Sequence, residues 1–129
     1  MAEQLLEIHV ICYEAVSVKG GKKDIVMVPF GGEAGGSLFH GRVIGTGVDT
    51  QTVVNGKATL SARYMLEGTD AEGNPCRIYI ENQGNMETGL RPMIVTDSPL
   101  LREWEESELF STVESAPGGV TLKIFRKRQ

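Results

Sequence analysis

The sequence has little of what would place it in a membrane, in a disulfide-rich scaffold or on a nucleic acid. Only two of its 129 residues are cysteines. Both, Cys12 and Cys76, lie in apolar, strand-like segments, which favours reduced thiols over a disulfide. No apolar run approaches the roughly 20 residues of a membrane-spanning helix. The net charge of −4 argues against a nucleic-acid partner, because such partners bind basic surfaces.

The beginning of the chain also lacks the pattern of a secretory signal. Glu3, Glu7 and His9 interrupt its apolar stretch, whereas a signal peptide has a continuous apolar core. We therefore expect a cytoplasmic protein with no membrane partner. The length fits one domain over residues 1–129, which is large enough to bury a core without disulfides.

Glycine, in contrast, is abundant, with 16 residues that cluster with asparagine and proline at short intervals. The segments between these clusters are rich in Val, Ile, Thr and Tyr, and their apolar residues alternate with polar ones. This rhythm is typical of an antiparallel all-β protein. Asn55-Gly56 is the clearest turn, because both residues suit the positive φ angles of a type I′ hairpin.

The pattern predicts about eight strands and one short helix. The strands cover residues 5–18, 25–30, 38–44, 50–54, 57–67, 76–82, 109–115 and 120–126. Ser98-Pro99 predicts the start of a helix of about two turns at most, with Leu100, Leu101 and Trp104 on its apolar side. We expect an antiparallel, closed or nearly closed β-barrel rather than a sandwich, since closure removes exposed strand edges. The glycine-rich residues 31–47 are interpreted as a flexible loop across one mouth.

Motifs for cofactors and metals are missing. The glycine-rich stretch has neither the Gly-Lys-Ser/Thr of a phosphate loop nor a dinucleotide fingerprint. His9 and His40 are far apart, with no acidic or histidine neighbour at ligand spacing. We therefore expect no cofactor and no metal.

Polar residues on three consecutive strands form the candidate ligand site. Hairpin pairing brings together Asp49, Gln51, Arg63, Glu81 and Asn82. In a functional site Arg63 would hold an anion or a carbonyl, and Asp49 or Glu81 would transfer a proton.

Two orientations of the strand over residues 57–67 remain open. Arg63 and Tyr64 are adjacent, so they cannot both point inward on a regular strand. If the Arg63 face is inside, the barrel has a polar pocket; if the Tyr64 face is inside, the barrel is mainly a packed core. An outer position of Arg63 and Glu81, in water, would remove this site from the interior.

The sequence also resembles a known family, the domain-of-unknown-function family 3237, found in bacteria and fungi. The resemblance covers residues 25–125 and rests on four segments, which are Gly36-Ser37-Leu38-Phe39-His40-Gly41-Arg42-Val43, Gly47-Val48-Asp49-Thr50-Gln51, Leu60-Ser61-Ala62-Arg63-Tyr64-Met65-Leu66-Glu67-Gly68 and Ile80-Glu81-Asn82-Gln83-Gly84. The resemblance implies a small antiparallel barrel with a pocket. Among the candidate site residues, Asp49 and Arg63 are the two positions that the match supports best. Residues 92–97 depart from the common family pattern.

Three functions are compatible with these features. The first is a barrel that binds a small organic ligand in a mostly apolar pocket. The second is an isomerase- or lyase-type enzyme that acts on a small carbonyl or carboxylate compound. The third is a homo-oligomer without a ligand, in which the strands serve assembly.

Overall fold

The structure is a computed structural model that describes residues 2–128. These described residues form nine β-strands and one 3₁₀ helix. The elements in chain order are β1 (Ala2–Cys12), β2 (Val16–Lys19), β3 (Asp24–Gly35), β4 (Phe39–Val54), β5 (Lys57–Asp70), β6 (Pro75–Asn85), β7 (Gly89–Thr96), the 3₁₀ helix (Arg102–Glu105), β8 (Leu109–Ala116) and β9 (Gly119–Lys127).

Eight of the strands close into an antiparallel barrel. Their order is β1-β9-β8-β7-β6-β5-β4-β3, and β1 also pairs with β3 to complete the ring. β2 is an additional strand that pairs with β3 beyond the point where β1 ends. The predicted all-β, closed antiparallel barrel of about eight strands is therefore confirmed, as is its low helix content.

The boundaries of the strands differ from the prediction in three places. β4 is one strand where two were predicted, the first predicted strand is divided into β1 and β2, and β7 was not predicted. β7 contains Pro92, which usually argues against a central strand. Proline is tolerated here because β8 pairs with β7 only at Leu90 opposite Ser111, so this edge needs no hydrogen bond from residue 92.

The glycine-rich residues 31–47 are not a loop, because most of them lie within β3 and β4. The reason for the glycines is the close passage of β1. A Cβ atom at Gly32 would collide with the carbonyl oxygen of His9, and one at Gly36 with that of Leu5. Small residues in β3 and in the β3–β4 turn thus allow β1 to approach closely and to complete the barrel.

One end of the barrel is filled by apolar side chains. Trp104 lies within the 3₁₀ helix and Leu101 directly precedes it. Both are buried against this end of the barrel, together with Leu6, Phe39, Leu66, Ile78 and Ile124. The burial of Leu101 and Trp104 agrees with the predicted apolar side of the helix. We refer to this part of the barrel as the packed end.

The helix stays within the predicted limit of about two turns, but it begins at Arg102 and Ser98 does not cap it. The Ser98 hydroxyl donates instead to Asp70 Oδ2 at 3.1 Å. The N-cap position is occupied by Leu101, which makes no side-chain capping bond. Within residues 2–128, no helix has the length and apolar character needed to cross a membrane.

The close contact between β4 and β5 predicts a strong effect of one substitution. Gly68 lies opposite Gly41, and a Cβ at Gly68 would collide with the backbone of His40 and Gly41. We expect Gly68→Ala to lower the free energy of unfolding by about 1–3 kcal/mol, measured by urea denaturation, because the strands must move apart. The control is Gly21→Ala, where a Cβ would meet no atom within 4 Å. Its effect should stay within about 0.5 kcal/mol, and equal effects of the two substitutions would contradict this account of the glycine.

Candidate functional site

A cavity of about 250 Å³ occupies the barrel interior on the side away from Trp104. Its wall is mainly apolar, which suits a ligand site that also carries a few placed polar groups. The apolar residues are Val10, Val28, Phe30, Leu60, Ala62, Leu90, Val113, Val120 and Leu122. Its volume exceeds the roughly 150 Å³ of an engineered protein cavity that binds benzene, so it has room for a small organic molecule.

Four polar side chains face this cavity, namely Asp49, Gln51, Tyr64 and Asn82. Asp49 and Gln51 are two residues apart on β4 and therefore share one face. The Gln51 amide donates to Asp49 Oδ2 at 2.9 Å. The Asn82 amide, on β6, donates to the hydroxyl of Ser111 on β8 at 2.9 Å. Each of these two hydrogen bonds fixes the orientation of one polar group in the wall.

Three polar atoms of the cavity wall are buried without a hydrogen-bond partner among the described residues. They are Asp49 Oδ1, the Tyr64 hydroxyl oxygen and Asn82 Oδ1. Buried polar atoms in native proteins are nearly always paired with protein or with ordered water. Three such atoms around one cavity are therefore groups that a bound molecule can satisfy after a small movement of the side chains that cover them.

The strand register places these three groups around Ala62. Asp49 on β4 lies opposite Ala62, and Asn82 on β6 lies opposite Ala62 on its other side. Since neighbouring strands are about 4.8 Å apart, the backbones at Asp49 and Asn82 are separated by about 10 Å. Tyr64 is two residues from Ala62 on the same face. The small Ala62 side chain leaves open space between the polar groups, and larger residues would fill it.

Aromatic rings form the floor of the cavity. The rings of Tyr64 and Phe30 meet edge to face, with centroids 5.2 Å apart. Gly47 makes room for them, since a Cβ at that position would lie 2.6 Å from the Phe30 ring and 2.8 Å from Tyr64 Cβ. Burial raises the pKa of the Tyr64 hydroxyl well above its usual range. Tyr64 therefore keeps its proton at neutral pH and can donate it in a hydrogen bond.

The structure places two of the five predicted site residues elsewhere. Arg63 and Glu81 lie on the outer wall, where the Arg63 side chain is 64 % exposed and its Nε is 3.4 Å from Glu81 Oε2. Tyr79 on the same outer face donates to Glu81 Oε2 at 3.0 Å. The apolar face of β5, which carries Tyr64, is turned inward. The expectation that Arg63 holds an anion inside the barrel is therefore corrected. Its side chain points away from the cavity and into water.

The other three predicted residues, Asp49, Gln51 and Asn82, do come together in the cavity wall. Ala62 was not considered as a site residue, and Tyr64 was considered as an alternative proton-transfer group but was not among the five predicted ligand-binding residues. The signal for both was their alternation with Leu60 and Leu66, which marks one face of β5 as apolar.

Cys12 was also missed as a residue of the cavity wall. It is an exposed, free thiol on β1. Cys76 differs, since it is buried outside the cavity. Burial raises the pKa of the Cys76 thiol, and the negative charges of Asp70 and Asp97 raise it further. A thiol reagent should therefore distinguish the two cysteines and report on the cavity through Cys12.

The charges of the wall limit the kind of ligand. Asp49 is the acidic residue of the lining, and no Lys, Arg or His is found among the described residues that line the cavity. Across residues 2–128, no three His, Cys, Asp or Glu side chains are grouped so that they could hold a metal ion.

Comparison with known sequences gives a family match. The model of a family described as "Protein of unknown function (DUF3237)" matches residues 2–103. A UPF0311 protein of Clostridium acetobutylicum is 40 % identical over 70 residues, which are 50 % of this chain and 42 % of that protein. The match thus spans less than half of that relative's length.

Solved structures with the same fold include a protein with unknown function from Clostridium acetobutylicum, with a TM-score of 0.85 and 24 % identity over 99 % of both chains. An enzyme from Penicillium herquei has a TM-score of 0.75 and 16 % identity, over 98 % of this chain and 92 % of that chain. At these identities the likeness shows the fold alone.

The unpaired hydroxyl of Tyr64 leads to a prediction about stability. We expect Tyr64→Phe to leave the free energy of unfolding unchanged or to raise it by up to about 1 kcal/mol, because no hydrogen bond is lost and a buried polar group is removed. Ser111→Ala, which also removes one interior hydroxyl, should lower it by about 1–3 kcal/mol, since the amide of Asn82 then loses its acceptor. Urea denaturation measures the free energy of unfolding of both variants and of the unsubstituted chain. Equal destabilisation would show that the Tyr64 hydroxyl is already bonded in the free protein.

Proposed function

This chain belongs to the DUF3237 family of proteins of unknown function, and we propose that it binds one small, mainly apolar molecule that carries a hydroxyl or N–H group and no negative charge. The observation that carries the proposal is the set of three unpaired, buried polar atoms around an apolar cavity. The likeness to the family gives no ligand, so the chemistry of the cavity wall is the basis for the choice.

The charge of the cavity disfavours an anionic ligand. An anion would be placed near the carboxylate of Asp49 without a cationic partner in the described wall. Burial of an unpaired charge is strongly unfavourable. Among the substrates that the sequence left open, a carbonyl compound therefore fits this cavity better than a carboxylate.

The volume and the floor favour a flat molecule of about the size of two fused six-membered rings. The cavity is larger than the roughly 150 Å³ that holds benzene. Phe30 and Tyr64 present an aromatic edge and face, and aromatic pairs contribute about 0.5–1.5 kcal/mol beyond their buried area.

The unpaired atoms define the polar groups of the ligand. Asp49 Oδ1 and Asn82 Oδ1 can only accept, so a ligand group that pairs with either of them must be a donor. The Tyr64 hydroxyl can donate to a ligand oxygen. A hydrogen bond to the carboxylate is worth about 1.5–3 kcal/mol and a neutral one about 0.5–1.5 kcal/mol, which is enough to select a hydroxyl over a methyl ether.

A second candidate function is proton transfer on such a molecule, as in an isomerase- or lyase-type enzyme. Asp49 supports it, because a carboxylate with one unpaired oxygen in an apolar cavity can act as a general base. Tyr64, which keeps its proton, can donate a hydrogen bond to the oxygen on which negative charge develops. The fungal protein of similar fold is an enzyme, which makes catalysis on this scaffold reasonable.

Three probes of equal ring size test the binding proposal. We expect 2-naphthol to raise the melting temperature, because a ligand that binds only the native state stabilises it. 2-Methoxynaphthalene lacks the donor and should have a smaller effect. 2-Naphthoate is an anion and should have none. The strongest shift with 2-naphthoate, or no shift with any probe, would contradict the proposed ligand class.

A pair of adjacent substitutions locates the binding site. Ala62→Leu fills the space between Asp49 and Asn82 and should abolish the shift with 2-naphthol. Arg63→Ala changes the next residue, on the outer wall, and should leave the shift unchanged. Protection of Cys12 from a thiol reagent gives a second measure, because a ligand in the cavity covers that thiol. Loss of binding in Arg63→Ala but not in Ala62→Leu would place the site outside the barrel.

Proton transfer is tested with 2-tetralone, a bicyclic ketone with acidic C–H bonds beside its carbonyl. If Asp49 is the base, the protein in D₂O should accelerate the incorporation of deuterium at these carbons, measured by proton NMR. Asp49→Asn should lower that rate by about a hundredfold or more and still bind the ketone in the thermal-shift assay. No acceleration by the unsubstituted protein would reject the enzyme hypothesis for this class of ketone and leave the binding proposal in place.

A further inference from the structure

β2 lies at the end of the sheet and has one free edge. It pairs with β3, and the described residues provide no strand on its other side. All four of its residues, Val16–Lys19, are exposed. Free edges are sites where another strand can add, and proteins usually cover or disrupt them.

The hydrogen-bond pattern shows which backbone groups are available at this edge. The Gly20 amide donates to the Lys23 carbonyl at 2.9 Å at the end of the β2–β3 hairpin. Because antiparallel ladders alternate, Val18 and Val16 direct their backbone groups towards β3. The N–H and C=O groups of Ser17 and Lys19 then point to the free edge.

The outer face beside this edge is apolar. Val16 and Val18 are each 62 % exposed and lie opposite Met27 and Ile25 of β3. Met27 is 41 % exposed on the same outer face. Val16, Val18 and Met27 thus form a small exposed apolar patch beside the open backbone groups, which a partner strand could cover.

The charges around β2 are complementary to each other. Glu14 precedes the strand, Lys19 ends it, and Lys22 and Lys23 lie in the turn that follows. None of these four side chains takes part in an ion pair within residues 2–128. An antiparallel copy of the same segment would place its basic end beside Glu14 and its acidic end beside the lysines.

We propose that β2 pairs antiparallel with β2 of a second copy of this chain, about a twofold axis, so that one sheet continues from barrel to barrel. The occupant is a second copy rather than a foreign strand, because the segment carries both halves of the charge pattern that such pairing needs. A twofold interface is self-complementary in this way. The proposal is independent of what the cavity binds.

The dimer is tested by sedimentation or light scattering at increasing protein concentration. The unsubstituted chain should approach twice its monomer mass. Ser17→Pro removes a free-edge N–H and no hydrogen bond to β3, so it should stay monomeric and folded, as judged by its circular dichroism. Ser17→Ala keeps the N–H and should still dimerise. A monomer at every concentration, or an unchanged dimer in a folded Ser17→Pro, would overturn the proposal.

Reversal of single charges gives a test that is specific for two copies in antiparallel arrangement. Glu14→Lys alone and Lys19→Glu alone should each weaken dimerisation about tenfold, because like charges then meet at both ends of the interface. A mixture of the two variants should dimerise again, since each end then pairs opposite charges. Failure of the mixture to recover, with both variants folded, would reject the antiparallel arrangement.

Discussion

The pairing of β1 with both β9 and β3 is the constraint on which the rest of the structure depends. It closes the ring, and closure leaves every residue of the eight strands either inside or outside the barrel. A shift of one residue in any ladder would exchange the two faces. The register from β4 to β6 therefore turns Asp49 and Asn82 inward together, and it turns Arg63 towards water.

Local patterns in the sequence were sufficient to predict most of the strands, and three of the five predicted site residues line the cavity. Asn55 and Gly56 have φ angles of 52° and 78°, as the type I′ turn requires. This turn sets the register of β4 and β5, and the next hairpin brings β6 beside β5, so Asp49 could be predicted to lie near Asn82. The choice between Arg63 and Tyr64 could not be predicted in this way, because it depends on how much apolar volume all eight strands contribute to one interior.

Contacts between distant parts of the chain account for the other differences. The glycines of β3 were interpreted as a loop because their role is to admit β1, which is far away in sequence. β7 was missed because Pro92 is acceptable only where the neighbouring strand leaves that edge unpaired. In both cases the residue type is explained by a neighbouring strand that is distant in sequence. The adjacent residues in the sequence therefore could not predict it.

The packed end and the cavity occupy different parts of the same barrel, and this division has an evolutionary consequence. Residues such as Leu66 and Trp104 hold the barrel together, whereas Ala62, Leu90 and Val113 border open space. A mutation at a position of the second kind can alter the shape of the cavity at little expense to folding. Lineages can therefore acquire new ligands through changes at the cavity wall and keep the same barrel, so a shared fold among such proteins need not mean a shared ligand.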